Sequence, residues 1–325
     1  MHEATDGHGG GAGPRTGPAP TTPAYPGTFG DGEGTPGPTS ATTPAASPAP
    51  TPRDGPFQAP GPGPGPTLEA LGLDVVPRDD PLTYPGARPD DSALLAGDRL
   101  LPLTRLVHED RVPVLAVGSN ASPAQLRAKL AECAITTPLP LVKARVTGLD
   151  IGVSAHVSRM GYISASPFAA PGTVRELFLT WLDAGQLAAV DASEGVPLPD
   201  GNYRRGWLPA PDVRIDLADG RTLPGAYAYV NRRGVLHDGH GTRLRHGDQR
   251  ALLTGLLAAH PWLRELCGTT PEEFCARVRA DPSVGARGTE LFAEQGLVMA
   301  SGLERFVRRG RATGSPGTGE PWASL

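Results

Sequence analysis

The sequence predicts an α+β domain with a mixed, mainly antiparallel sheet. Segments with strand character come first, between Val112 and Val230, and helical segments follow from Asp248 onward. Too few of the strands are each followed by a crossover helix to form a doubly wound parallel sheet. About 250 residues remain once a biased N-terminal segment is set aside, which is enough for a sizeable hydrophobic core.

The first 66 residues differ in composition from the rest, because they are mostly Gly, Pro, Thr, Ser and Ala. Such a segment cannot bury enough apolar surface to offset the entropy lost on ordering. The expected organisation is a disordered tail over 1–66, an ordered lead-in segment over 67–111, a domain with a helical C-terminal extension over 112–310, and a flexible C-terminus over 311–325.

Charge and cysteine usage limit the possible partners. The net charge is −4 at pH 7 and the basic residues are scattered among acids, which argues against a nucleic acid or an anionic membrane. Cys133, Cys267 and Cys275 are odd in number and lack metal-type spacing, so we expect free thiols in a reducing compartment. With no signal-peptide pattern and no membrane-length apolar run, we expect a cytoplasmic protein whose partner is a small molecule; the oligomeric state stays open.

A strand–loop–helix unit opens the domain. The apolar run Val112–Val117 predicts a buried strand that stops at Gly118. Ser122 suits the helix N-cap, Pro123 the first helical position, and Gln125 the third position of a capping box. The unit therefore predicts a well-defined helix start directly after the loop.

The loop Gly118-Ser119-Asn120 is the first candidate site. Gly118 allows a close approach that a side chain would block, and the loop leads into a helix N-terminus. Such a loop can hold an anion or a polarised carbonyl. It is equally compatible with an ordinary turn before a capped helix, and the residues alone leave both interpretations open.

Glu194 is the second candidate. Strands are predicted over Leu141–Leu149, Tyr162–Ser166 and Val174–Leu182, and a helix from Ala184 to about Ser193 follows, with a capping box at Asp183 and Gln186 and an end at Gly195.

Glu194 falls on the same helix face as Leu187 and Val190 if the last turn persists. A carboxylate buried on an inward face becomes a better proton acceptor. Alternatively, the helix unwinds one turn earlier and Glu194 is solvated, or it pairs with Arg204 or Arg205.

The downstream segments predict more strands and then helices. Val213–Leu217 and Ala226–Val230 alternate as strands, and the turn at Asp219-Gly220 suggests that they form a hairpin. Three helices are predicted: Ala251–Ala259, Pro271–Ala280 capped by Thr270, and Thr289–Met299.

The sequence predicts neither a metal site nor a cofactor. His237, His240 and His246 cluster in a Gly-rich stretch, but their spacing matches no zinc pattern and favours a surface loop. No Gly-x-Ser-x-Gly elbow and no Gly-x-x-x-x-Gly-Lys loop occurs, so serine-hydrolase and nucleotide-binding functions have no support.

Taken together, the two candidate sites resemble a known family. A strand that ends in Gly-Ser-Asn is similar to the Tyr-Gly-Ser-Asn signature of γ-glutamyl cyclotransferase-like (AIG2-like) proteins. The segment Val174–Leu182 and the turn Val190-Asp191-Ala192-Ser193-Glu194-Gly195 are similar to that family's strand and its Leu-Asp-x-x-Glu-Gly turn. Tyr203-Arg204-Arg205 is similar to the family's Tyr-x-Arg strand, so the resemblance covers roughly 112–230.

The resemblance implies a small mixed β-barrel flanked by helices and an enzyme that needs no cofactor. Its reaction would cyclise a γ-glutamyl group to 5-oxoproline and release an amine or amino acid. Glu194 would be the catalytic acid–base residue, and Gly118, Ser119, Asn120 and Tyr203 would bind the substrate.

Two segments depart from the family pattern. Val117 stands where the family usually has tyrosine, and Arg175-Glu176-Leu177 replaces a pattern of small residues. The alternatives are therefore a catalytically inactive small-molecule-binding module of the same fold, or an interaction protein whose tail and C-terminal helices recruit partners.

Overall fold

The computed structural model describes residues 65–106 and 110–307, in which eleven strands form one sheet. Residues 1–64 of the predicted tail over 1–66, and the whole of the predicted C-terminus over 311–325, lie outside the described residues. The strands are β1 Ala93–Ala96, β2 Arg99–Pro102, β3 Val112–Ala116, β4 Leu139–Val157, β5 Ile163–Leu182, β6 Tyr203–Pro209, β7 Arg214–Leu217, β8 Thr222–Leu223, β9 Gly225–Asn231, β10 Val235–Leu236 and β11 Val298–Met299.

The sheet is mixed, as predicted. Its main path runs β11-β10-β4-β5-β3-β9-β6, with β1 and β7 also paired to β4. Among the described strands, β3 and β9 pair in parallel, with Val114 opposite Tyr227, whereas the other pairs are antiparallel. Since β3 lies between β5 and β9, its carboxyl end and the loop after it lie at the centre of the sheet.

The predicted β-barrel is wrong, because the sheet is not closed within the described residues. Its two end strands, β11 and β6, do not pair with each other. One end tapers into the two-residue strands β10 and β11. At the other end the 3-10 turn Glu304–Phe306 runs beside β6, where a Cβ built on Gly206 would lie 3.1 Å from the Phe306 carbonyl oxygen. Closure would require the edges of the two end strands to meet.

A long hairpin of β4 and β5 replaces the three separate strands predicted in this region. The two strands contain 19 and 20 residues and pair along most of their length. Their register shifts between Thr147 and Gly148, where Gly148 has φ +98°. An irregularity of this kind bends a strand, so the two halves of the hairpin belong to different parts of the fold.

Six helices lie in the described part of the chain: α1 Pro123–Glu132, α2 Ala184–Ser193, α3 Gln249–Ala259, α4 Pro261–Cys267, α5 Pro271–Ala280 and α6 Pro282–Glu294. The starts of α1, α2 and α5 are those predicted from their caps. The predicted helix Thr289–Met299 is wrong. The helix here is capped by Asp281 and begins at Pro282. It ends before Gly296, which has φ +67°. Pro at the first helical position favours the earlier start.

The predicted hairpin between the strands at 213–217 and 226–230 is also wrong. The turn at Asp219-Gly220 joins β7 to the short strand β8, while β9 pairs with β6 and β3. Nearly all of β9 is buried, and a strand buried on both faces belongs inside a sheet rather than at an outer hairpin.

The C-terminal helices share a core with the distal half of the long hairpin. Val153 and Ile163 from the hairpin pack with Leu253, Phe274 and Phe292 from α3, α5 and α6. The segment before β3 also joins the fold, because β1 pairs with β4 and Tyr84 is 4% exposed. None of the helices in the described ranges combines the length and apolar character that crossing a membrane requires.

Candidate functional site

A cavity of about 640 Å³ lies where the loop after β3, the C-terminal end of α2 and the long hairpin meet. All five residues that the sequence singled out line it: Gly118, Ser119, Asn120, Glu194 and Tyr203. The C-terminal extension supplies a further wall, since Gly285 and Thr289 of α6 also line the cavity. The structure thus brings together residues that are far apart in the sequence.

Gly118 is required by a close approach rather than by its backbone dihedral angles. A Cβ at this position would lie 2.4 Å from the Tyr84 hydroxyl oxygen. Tyr84 has little freedom to move, because its hydroxyl accepts a hydrogen bond from the Ala165 N–H at 2.9 Å and its ring stacks on Tyr162 at 4.3 Å. Glycine therefore lets the loop lie directly against the wall of the cavity.

The end of α2 fixes the backbone of Glu194. The helix starts with the predicted capping box of Asp183 and Gln186. At its end the Val196 N–H donates to the Asp191 carbonyl oxygen at 2.9 Å, and Gly195 has φ +71°. This is a Schellman motif, in which glycine adopts the left-handed conformation. The last turn persists through Glu194, as one of the sequence interpretations required.

Glu194 belongs to a closed ring of three hydrogen bonds, which we call the charged cluster: Asn120, Lys129 and Glu194. Its Oε1 atom accepts from Asn120 Nδ2 at 3.0 Å and from Lys129 Nζ at 2.8 Å, and Lys129 also donates to Asn120 Oδ1 at 2.7 Å. The side chains of Lys129 and Glu194 are only 8% and 16% exposed. Each therefore compensates a charge that would be costly to bury alone.

The second carboxylate oxygen of Glu194 has a different environment. Oε2 accepts no hydrogen bond from residues 65–106 or 110–307. Because Glu194 lines the cavity, Oε2 is the oxygen that a bound molecule can reach.

The two arginines that the sequence offered as partners of Glu194 lie elsewhere. Arg205 binds Asp191 at 2.7 Å, and Tyr229 donates to the other oxygen of Asp191 at 2.8 Å. Burial raises the pKa of Asp191, and the Arg205 guanidinium opposes that shift. Arg204 donates to backbone carbonyl oxygens, including that of Leu198. These contacts anchor α2 to β6 and β9 and leave Glu194 facing the cavity.

Tyr203 lies on β6 at the back of the cavity. Its hydroxyl group donates to the Ala165 carbonyl oxygen at 3.3 Å. Tyr84 binds the N–H of the same residue, so the two tyrosines hold both backbone polar groups of Ala165. Burial raises the pKa of both tyrosines above the ordinary value. Both phenols therefore remain protonated at neutral pH.

A second polar group, which we call the neutral cluster, consists of Ser154, His156 and Asn231. His156 lines the cavity and is 3% exposed, whereas Ser154 and Asn231 are fully buried. His156 Nδ1 lies 2.5 Å from Ser154 Oγ and 3.0 Å from Asn231 Nδ2. Burial, together with the positive charge of the nearby Arg233, lowers the pKa of His156 to about 3. The imidazole is therefore uncharged at neutral pH.

Sequence analysis missed Lys129 and the whole neutral cluster. A local signal for Lys129 existed, because it is one of only two lysines in the chain and lies beside Leu130 in a helix with a buried face. Ser154, His156 and Asn231 carry no comparable signal, since they converge only when β4 and β9 are in place. Of the three histidines noted in the sequence, His246 lies with Nε2 3.0 Å from the Ile163 carbonyl oxygen, and the described residues contain no group of three or more His, Cys, Asp or Glu side chains that could hold a metal ion.

Comparison with known proteins gives partial structural likenesses only. No family model and no curated protein matches the chain. An uncharacterised protein from Homo sapiens matches 38% of this chain and 67% of its own length, with 17% identity and a TM-score of 0.28. A structure named γ-glutamyl cyclotransferase matches 37% of this chain and 66% of its own, with 17% identity and a TM-score of 0.29.

A third structure, YkqA from Bacillus subtilis, matches 42% of this chain and 43% of its own, with 16% identity and a TM-score of 0.30. The chain thus spans about two thirds or less of these three structures.

Proposed function

We propose that this protein is a γ-glutamyl cyclotransferase-like enzyme that cyclises a γ-glutamyl group to 5-oxoproline. The observation that supports this most is the placement of Glu194. One oxygen of its carboxylate is held by Asn120 and Lys129, and the other faces the cavity without a protein partner in the described ranges. A carboxylate held in this way is positioned to accept a proton from a bound ligand.

In the proposed reaction the α-nitrogen of the γ-glutamyl group attacks its own γ-carbonyl carbon. A carbon–nitrogen bond forms to close the lactam, and the bond from the γ-carbon to the leaving nitrogen breaks. Two protons leave the α-ammonium group and two reach the leaving nitrogen, so the released amine is an ammonium ion. Glu194 Oε2 carries protons between the two nitrogens. Because both reacting groups belong to one molecule, much of the catalysis comes from holding the cyclising conformer.

Lys129 supports the same chemistry in two ways. Its ammonium group fixes Glu194 Oε1 and so orients the carboxylate. A positive charge beside the site also favours proton loss from a second ammonium group bound there, and the α-nitrogen becomes nucleophilic only after it has lost a proton.

The loop after β3 is suited to binding substrate oxygen atoms. Ser119 and Asn120 are the first residues of a 3-10 turn, so their N–H groups have no partners inside that turn. The Ser119 side chain makes no hydrogen bond within the described ranges. Donors of this kind can stabilise a carboxylate or the oxyanion that develops during attack.

The test is release of 5-oxoproline from a panel of γ-glutamyl dipeptides and γ-glutamylamines. Wild-type protein is expected to release product, and Glu194→Gln, which keeps the size and polarity of the side chain, is expected to lose about 100-fold or more in rate. Glu176→Gln is the matched control, since Glu176 is an exposed carboxylate outside the cavity lining. Equal rates for wild type and Glu194→Gln would remove Glu194 from the mechanism.

The ion pair itself favours a second function, an inactive small-molecule-binding module. Lys129 already holds one oxygen of Glu194, and such an ion pair can orient a bound ligand without any proton transfer. Ligand-dependent stabilisation of the folded protein without any product, across the whole panel, would support this second function over the first.

A further inference from the structure

The neutral cluster fixes which nitrogen of His156 carries its proton. The Asn231 amide has a defined orientation, because its Oδ1 atom accepts the backbone N–H of Arg233 at 2.6 Å. Its Nδ2 group must therefore be the one that faces His156 Nδ1 at 3.0 Å. Nδ2 also donates to Ser154 Oγ, which lies 2.5 Å from Nδ1. An amide NH₂ group can only donate, so a proton on Nδ1 would face the amide hydrogens. Nδ1 therefore accepts, and the proton of the neutral ring lies on Nε2.

Nε2 has no protein partner among residues 65–106 and 110–307. The side chain is 3% exposed, yet it forms part of the cavity wall. Nε2 is not among the buried side-chain atoms that lack a hydrogen-bond partner, so it is accessible from the cavity, where a ligand oxygen can accept a hydrogen bond from it.

Arg233 indicates the charge of that oxygen. It lines the same cavity, and of its side-chain nitrogens Nε donates to Asn202 Oδ1 at 2.9 Å. After burial, its positive charge is the second cause that lowers the pKa of His156. A negatively charged oxygen is favoured beside a cation and an N–H donor.

We propose that His156 is a substrate-binding residue, whose Nε2–H donates a hydrogen bond to a carboxylate oxygen of the bound γ-glutamyl compound. This inference rests on the proposed function. Ser154 Oγ is fully buried behind the ring, so the cluster presents a hydrogen-bond donor to the cavity and no serine nucleophile. Since the donor is neutral, the protein presents it without burying a further charge.

The carboxylate can come from two parts of the substrate. Every γ-glutamyl compound carries an α-carboxylate, whereas only a γ-glutamyl-amino acid carries a second one on the leaving group. Binding is therefore measured with γ-glutamylalanine and with γ-glutamylethylamide, by calorimetry in the Glu194→Gln background to prevent turnover.

His156→Leu removes the donor and is expected to raise the Kd by roughly 10- to 100-fold, the usual effect of losing a hydrogen bond to a charged group. A loss for both ligands places the bond on the α-carboxylate, and a loss for γ-glutamylalanine alone places it on the leaving group. His156→Gln retains an amide N–H and should recover most of the affinity. Unchanged Kd values in His156→Leu, or equal losses in the Leu and Gln variants, would overturn the proposal.

A measurement on the unmutated side chain covers the case in which His156→Leu fails to fold. Imidazole nitrogen chemical shifts of wild-type protein, assigned with His156→Gln, should show a neutral ring protonated on Nε2 from about pH 5 to pH 8, where an ordinary histidine titrates. Adding γ-glutamylalanine to Glu194→Gln should move the Hε2 resonance. A ring protonated on Nδ1, or an Hε2 signal unmoved by saturating ligand, contradicts the inference.

The two proposals fail in different ways. If wild type releases 5-oxoproline but the binding and spectroscopic results exclude His156, only the present inference is wrong. If wild type releases no product and neither ligand binds, the proposed function is wrong. The present inference is then wrong as well, whichever nitrogen of His156 carries the proton.

Discussion

Two polar clusters lie at one cavity, and they offset the cost of burying polar groups in opposite ways. The charged cluster of Asn120, Lys129 and Glu194 keeps a cation and a carboxylate in contact at 2.8 Å. The neutral cluster of Ser154, His156 and Asn231 uses hydrogen bonds alone, and burial keeps its imidazole uncharged. In the two proposals above, Glu194 on one wall of the cavity moves protons, while His156 on the other wall supplies a hydrogen-bond donor.

The difference follows from where each cluster lies in the fold. The charged cluster joins two helices, and Lys129 and Glu194 retain 8% and 16% exposure. The neutral cluster lies between β4 and β9 and its members are 0–3% exposed. An ion pair is tolerated where some solvent remains, whereas an unpaired charge in the strand interior would be far more costly.

Replacing Lys129 should cause the largest loss of stability. Lys129→Met leaves the Glu194 carboxylate in a largely buried position without its cation, which should reduce the free energy of unfolding by about 3 kcal/mol, the lower end of the range for a broken buried pair. The measurement is urea unfolding at neutral pH.

The double variant Lys129→Met/Glu194→Gln is the control for that experiment. It removes both charges and should recover more than half of the loss, because no unpaired charge remains. No recovery in the double variant would mean that Lys129 contributes through packing rather than through its charge.

Replacing Asn231 should cost less, since no charge is left behind. Asn231→Ala removes the partners of His156 Nδ1 and of the Arg233 backbone N–H, with an expected loss of about 1 to 3 kcal/mol for buried groups left unsatisfied. Asn202→Ala, at a less buried position on the same wall, removes only a solvent-exposed hydrogen bond to Arg233 and should cost about 0.5 kcal/mol, the low end of the range for one hydrogen bond. A loss larger than that of Lys129→Met would reverse the comparison between the clusters.

Gly118 offers a steric effect that is independent of charge. In Gly118→Ala the new methyl group would meet the Tyr84 hydroxyl, and the expected cost of overpacking is about 1 to 3 kcal/mol. Gly255→Ala is the matched control, because Gly255 is exposed in α3 with no atom within 4 Å of the added Cβ. It should stabilise the protein by up to about 1 kcal/mol. Thermal unfolding of the two variants would show whether the loop truly needs glycine.

How well the sequence predicted the structure depends on how local each determinant is. The starts of α1 and α2 were predicted because the caps at Ser122 and Asp183 lie within three residues of their partners. The position of Glu194 in the last turn was predicted from an equally local signal, because the neighbouring Gly195 ends the helix. All five predicted site residues line one cavity, although their roles remain proposals.

The errors came from non-local pairing. Whether a sheet closes depends on which strand edges meet, and nothing in the residues of β6 or β11 specifies that they stay apart. Lys129 lies 65 residues from Glu194, and Ser154 lies 77 residues from Asn231. A pair so far apart in the chain has no sequence pattern of its own, so the partner of Glu194 and the whole neutral cluster emerged only from the fold.

Taken over one pH unit, the smallest predicted effect is on the pH dependence of stability, and it tests whether the imidazole of the neutral cluster is uncharged in the folded protein. Burial lowers the pKa of His156 from 6.5 to about 3 in the folded protein. Between these two values the unfolded chain binds a proton that the folded protein does not, so stability falls as the pH falls through this window. The contribution of one such group is at most about 1.4 kcal/mol per pH unit.

His156→Gln cannot titrate, so its free energy of unfolding, measured with urea at several pH values in this window, should decline less steeply than that of wild type. Parallel declines would mean that His156 takes up its proton in the folded state, and a charged imidazole would then face the cavity across from Lys129.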